Sequence, residues 1–171
     1  VIDMETKTLT KEAQEVVGSF LNLSMEGKTL PCPYYVHRNT QKRSVLRALA
    51  GKGSPTEIAD EVVVRILKQK MELSSMSTEQ IRNFMIEQKI GVDCSGFVFQ
   101  ILNVESKARG KGSMKKNIKL PHTRGLLGLL IRKIRTIENT DVLTLANEKN
   151  SHEIQLNDIS AGDLIVEIGS K

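Results

Sequence analysis

The chemistry this chain could perform is concentrated around one cysteine flanked by an acid and a hydroxyl. The stretch is Gly91-Val92-Asp93-Cys94-Ser95-Gly96-Phe97-Val98. Ile90 and Val92 form an apolar lead-in to a polar Asp-Cys-Ser-Gly corner. Phe97, Val98, Ile101 and Leu102 then recur at i, i+1, i+4 and i+5, the spacing of one buried helical face. Asp93 suits the N-cap, which puts Cys94 and Ser95 in the first turn. The unpaired N–H groups and positive dipole end of a helix favour thiolate over thiol. A thiolate is a competent nucleophile for acyl transfer. The plainer reading is a small buried cysteine opening a core helix, since free cysteine is among the most buried residue types.

Asp93-Cys94-Ser95-Gly96 followed by Phe97-Val98 resembles the nucleophile motif of the NlpC-type cell-wall cysteine peptidases. Those are papain-like enzymes that cut peptidoglycan stem peptides. Two later segments resemble the same family in the same order. Leu120-Pro121-His122-Thr123 is similar to its Leu-Pro-Arg-Thr/Ser segment, with His122 in the arginine's place. Ile159-Ser160-Ala161-Gly162-Asp163-Leu164-Ile165-Val166 is similar to its Gly-Asp-Leu strand entry. The resemblance spans roughly residues 90–171. It implies a papain-like α+β fold with a helix-rich N-terminal half and an incomplete antiparallel sheet at the C-terminus.

The roles follow from that resemblance. Cys94 is the nucleophile, and its backbone N–H helps to form the oxyanion hole. Asp93 and Ser95 contact the substrate's stem peptide, particularly its free amino end. Pro31-Cys32-Pro33-Tyr34-Tyr35-Val36 stands where the family has a Pro-Tyr segment, so Tyr34 or Tyr35 lines the cleft, and Tyr34 is the substrate-side candidate. The alternative for these tyrosines is packing at the core edge. No metal or organic cofactor is implied, and the implied location is the cell envelope or outside the cell. The family's histidine base follows the Gly-Asp-Leu strand, and His37, His122 and His152 all precede that point. The expectation is therefore a histidine beyond Lys171, with residues 1–171 alone unable to turn over a peptide.

The elements that must position these residues can be read from period and caps. Thr10 caps a helix over about 11–23 with Ala13, Val16, Val17, Phe20 and Leu21 on one face, and Gly27 ends it. The prolines around Cys32 require extended chain. A helix over about 40–50 closes at Gly51. Ser54-Pro55-Thr56-Glu57 is a capping box with proline at the first helical position. It opens a helix to about residue 71 that buries Ala59, Val62, Val63, Ile66 and Leu67. Ser77 with Gln80 opens another over about 78–88, burying Ile81, Phe84 and Met85. Gly51-Lys52-Gly53-Ser54 lacks Walker spacing, so its glycines read as a helix stop and a turn.

Beyond the cysteine helix, residues 103–119 have no apolar period and read as a basic loop. The 68 positions from Cys94 to Gly162 exceed the family's spacing, so this loop and the helical region 123–147 read as insertions. Leu126, Leu127, Leu130, Ile131, Ile134 and Ile137 form an amphipathic stripe, and a short helix follows over 141–147. Val166 and Ile168 continue a strand alternation. The organisation is thus a helical region or lobe over 1–89 and a papain-like core over 90–171.

Length and composition set the limits. A chain of 171 residues with 39% hydrophobic content can bury a sizeable core, and the absence of tryptophan makes it aliphatic. No run of eighteen apolar residues predicts a transmembrane helix, and no leader is visible. Cys32 and Cys94 make neither a disulfide framework nor a zinc pattern. Residues 103–135 hold ten Lys/Arg against one acid, Glu105, a balance of +9, while the remainder balances to −4. That region suits an anionic partner, such as nucleic acid, anionic lipid or a cell-wall polymer, or serves as a solvated charged face. Beside the hydrolase, the alternatives are a non-catalytic papain-like binding module and a nucleic-acid-binding helical protein.

Overall fold

Thr10 begins the first element as its sequence predicts: its hydroxyl accepts from the Ala13 N–H and caps α1 (Lys11–Leu21). The computed structural model describes residues 8–35, 46–121 and 134–167. In α1, Ala13 and Phe20 are buried and Val16 is partly so, whereas Leu21 points outward. The helix stops before Gly27. A hairpin follows instead, β1 (Leu23–Met25) pairing antiparallel with β2 (Lys28–Leu30). Glu26 and Gly27 both have positive φ, 46° and 78°, the requirement of a tight two-residue turn that matches strand twist. Leu23, Met25 and Leu30 face the core and Ser24 and Thr29 face out, so the alternation of period two is present in a very short run.

The two capping boxes form as read. Ser54 accepts from the Glu57 N–H and Glu57 accepts from the Ser54 N–H, opening α2 (Pro55–Lys68). Ser77 and Gln80 do the same for α3 (Thr78–Glu87), which buries Ile81, Phe84 and Met85. In α2 the buried line is Ile58, Val62 and Ile66, with Ala59 and Val63 at its edge and Leu67 exposed. The apolar arc of α2 is wider than the face it buries, so periodicity alone admitted a rotation of the helix. Of the helix expected over 40–50, only a 3-10 turn, Arg47–Ala50, lies within the described residues.

The central element is α4 (Cys94–Ala108), packed against α1 and the later short elements. Burial falls on Ser95, Gly96, Phe99, Ile101 and Glu105, with Phe97 and Val98 half-buried, so the helix is covered on more than the one predicted face. Phe97 meets Phe20 edge to face at a centroid distance of 5.2 Å. The basic loop expected from residue 103 begins later, because α4 continues to Ala108 and α5 (Met114–Asn117) follows. The reason is physical: Asn103 and Glu105 occupy inward positions that apolar periodicity does not count. Asn103 accepts from Ser113 Oγ and the Met114 N–H, and Glu105 accepts from Thr10.

One apolar cluster runs from Phe20 through the hairpin, α2 and α3 to Val92, with Phe97 against it, so the regions 1–89 and 90–171 share a core. Asp141 caps α6 (Val142–Leu145), within the short helix expected at 141–147. Residues 122–133 of the predicted stripe lie outside the described residues; Ile134 is exposed and Ile137 buried. The chain is a mixed α+β protein. The C-terminal strand expected after Gly162 is not in a sheet among the described residues. Leu164, Ile165 and Val166 carry no regular secondary structure and are exposed, and the antiparallel pair lies at 23–30 instead. A strand signal specifies extended backbone; a sheet also needs a partner edge. No described helix is long and apolar enough to cross a membrane.

Candidate functional site

Asp93 caps α4 as predicted, its Oδ1 accepting from the Gly96 N–H at 2.6 Å. Cys94, next in the chain, is exposed, while Asp93, Ser95 and Gly96 around it are buried. The sulfur is therefore presented to solvent from a fixed first turn, the arrangement a nucleophile requires. The buried-cysteine alternative describes Cys32 better. Burial pushes the Cys32 thiol up to about 12, with the backbone at Val92 acting the other way.

The extended segment carrying Tyr34 reaches this corner. Tyr34 bridges Val92 in parallel; the Val92 N–H donates to the Pro33 carbonyl at 3.1 Å and the Tyr35 N–H to the Val92 carbonyl at 2.9 Å. Strand alternation then sends the two tyrosines to opposite sides. Tyr35 is buried near Asp93, and burial and the Asp93 charge both raise its pKa. Tyr34 is largely exposed, and partial burial followed by its neighbours Cys94 and Asp93 raises its pKa. Tyr34 thus stands near Cys94, where a phenol can stabilise negative charge on sulfur or on an acyl oxygen bound to it.

Sequence reasoning missed Lys52. It lies in the glycine turn read as a helix stop and is 4% exposed. Its ammonium donates to Asp93 Oδ1 at 2.9 Å and to Ser95 Oγ, and Ser95 Oγ donates to the same Asp93 oxygen at 3.1 Å. Asp93 and Ser95, expected to contact a substrate amine, here meet an internal one. The available signal was a lysine between two glycines, flanked by a helix stop and an N-cap. What it lacked was any local trace of a partner 41 residues away.

The four sequence-derived site residues, Cys94, Asp93, Ser95 and Tyr34, are thus gathered in one corner. His152 is exposed in the irregular stretch after α6, and His37 and His122 lie outside the described residues. Among the described residues no group of His, Cys, Asp and Glu could hold a metal ion. Comparison with protein-family models, with curated proteins and with solved structures finds no match to the chain.

Proposed function

We propose that the chain belongs to a papain-like cysteine hydrolase of the NlpC type, which cleaves amide bonds in peptidoglycan stem peptides through Cys94. The observation that carries this reading is the exposed Cys94 sulfur at the start of a fifteen-residue capped helix, with the Tyr34 phenol beside it. The thiolate attacks the amide carbon, and the carbonyl electrons move onto oxygen. In this reading first-turn N–H groups and the Tyr34 hydroxyl donate to that oxyanion. Collapse expels the amine, which takes up the proton that the histidine base removed from the Cys94 thiol, and leaves a Cys94 thioester. Water then attacks the thioester, returning sulfur as thiolate and releasing the acid. The histidine belongs to the family's pattern after the Gly-Asp-Leu segment.

An electrophile built on a stem peptide tests this reading without needing turnover. An L-Ala–γ-D-Glu acyloxymethyl ketone should label Cys94 faster than the same warhead carrying no peptide. Equal labelling rates overturn the substrate assignment.

A second reading, a binding module for an anionic polymer, has its own support. Lys107, Lys111, Lys116 and Lys119 are exposed, while the single acid among them, Glu105, is buried and already paired with Arg109. Such binding weakens steeply with salt. Neutralising Lys111, Lys116 and Lys119 together should abolish retention on anionic polymer.

A further inference from the structure

We propose that Lys52 is a positioning residue for Cys94: its ammonium is the internal counter-ion that joins the residues on either side of the cysteine and fixes how the sulfur is presented. This rests on the reading of Cys94 as the nucleophile.

An ammonium is strongly hydrated and is buried only when paired and hydrogen-bonded. Lys52 satisfies that condition at one place, the flanks of Cys94. Its Nζ, Ser95 Oγ and Asp93 Oδ1 close a three-membered ring of hydrogen bonds. The backbone repeats the connection. The Asp93 N–H donates to the Gly51 carbonyl at 2.9 Å, and Gln100 Nε2 donates to the Lys52 carbonyl at 3.0 Å. The turn at 51–53 therefore grips α4 at residues 93, 95 and 100. Cys94 lies within that grip and is the one residue of 92–96 left exposed.

A buried ion pair is a poor way to gain stability alone, because apolar residues of similar volume often serve as well or better. What the pair adds is orientation. Among the described residues, the charged or titratable groups at this corner include Lys52 from the turn, Asp93 from the cap, and Tyr34 and Tyr35 from the extended segment.

The test is alkylation of the full chain with iodoacetamide, following the Cys94 peptide by mass spectrometry from about pH 5.5 to about pH 9. Lys52→Met keeps the volume and removes the charge. The Cys94 rate at pH 7 should fall about tenfold, as for a reacting group moved out of its productive orientation. Lys52→Met that unfolds more easily yet alkylates with the parental rate and profile overturns the proposal, since the lysine is then structural. If Lys52→Met does not fold, Ser95→Ala decides. It keeps the Lys52–Asp93 pair and should slow Cys94 by about threefold, a modest share of that effect; an unchanged rate overturns the proposal. Iodoacetamide reads the thiol without substrate, so failure of the stem-peptide probe leaves this result standing and bears on the hydrolase reading alone.

Discussion

Gly96 in α4 packs directly on the backbone of Gly51. A Cβ at position 96 would lie 2.1 Å from the Gly51 carbonyl oxygen, far inside van der Waals contact, and that atom is backbone. Nothing flexible can move aside. Gly96→Ala should therefore push α4 away from the turn, at a cost of about 1–3 kcal/mol or more, the range for overpacking. A urea titration measures this as a lower midpoint. A parental midpoint would mean that the two segments separate without penalty.

The two cysteines should behave oppositely. Cys94 is exposed, whereas Cys32 is half-buried with its thiol raised to about 12. Iodoacetamide at about pH 8 should modify Cys94 and leave Cys32 intact in the folded chain, because the reactive species is the thiolate. Both should react after denaturation. Peptide mapping gives the answer, and equal native labelling contradicts the arrangement.

Glu105 ties α4 to the start of α1. Its Oε2 accepts from the Thr10 N–H and hydroxyl at 2.8 and 2.7 Å, and its Oε1 from Arg109 at 2.5 Å. Burial pushes this carboxyl up, but the Thr10 and Arg109 hydrogen bonds outweigh it and hold the pKa below the ordinary 4.5. A depressed folded pKa means the ionised form stabilises the fold above the unfolded value. That stability is lost as pH falls below about 4.5 and through the folded value. Glu105→Gln should be less stable than the parent at pH 7, by roughly 1.5–3 kcal/mol as for hydrogen bonds to a charged group. The gap should close under acid conditions. A gap that does not change with pH would show that the charge is not responsible.

Lys28 closes the hairpin onto the segment before α3. Its Nζ donates to the carbonyls of Leu73, Ser74 and Met76. Lys28→Met leaves those carbonyls without their donor and should cost about 1–3 kcal/mol. Hydrogen exchange should rise at residues 73–77 before it rises in α2. Unchanged protection there would contradict a clamp role.

Much of the local structure was legible in the chain itself. The capping boxes at Ser54 and Ser77, the Asp93 cap and the extended Pro31–Tyr35 segment rest on interactions within a few residues, so sequence carries them whole. The hairpin was missed because three-residue strands carry almost no period, although Glu26-Gly27 between Leu-Ser-Met and Lys-Thr-Leu was its trace. The reach of α4 to Ala108 was missed because its inward residues there are polar and satisfied from afar.

The sequence by itself determined where α1, α2, α3 and α4 begin, that Cys94 opens the last of them, and that a proline-rich segment runs extended before it. Tertiary structure decided what surrounds the sulfur. Only folding sets the Tyr34 phenol at Cys94, turns Leu67 outward, and buries the Lys52 ammonium between Asp93 and Ser95. Caps and periods are short-range and are written in neighbouring residues. A buried charge is tolerated only where a distant partner meets it, and that meeting belongs to the packed chain alone.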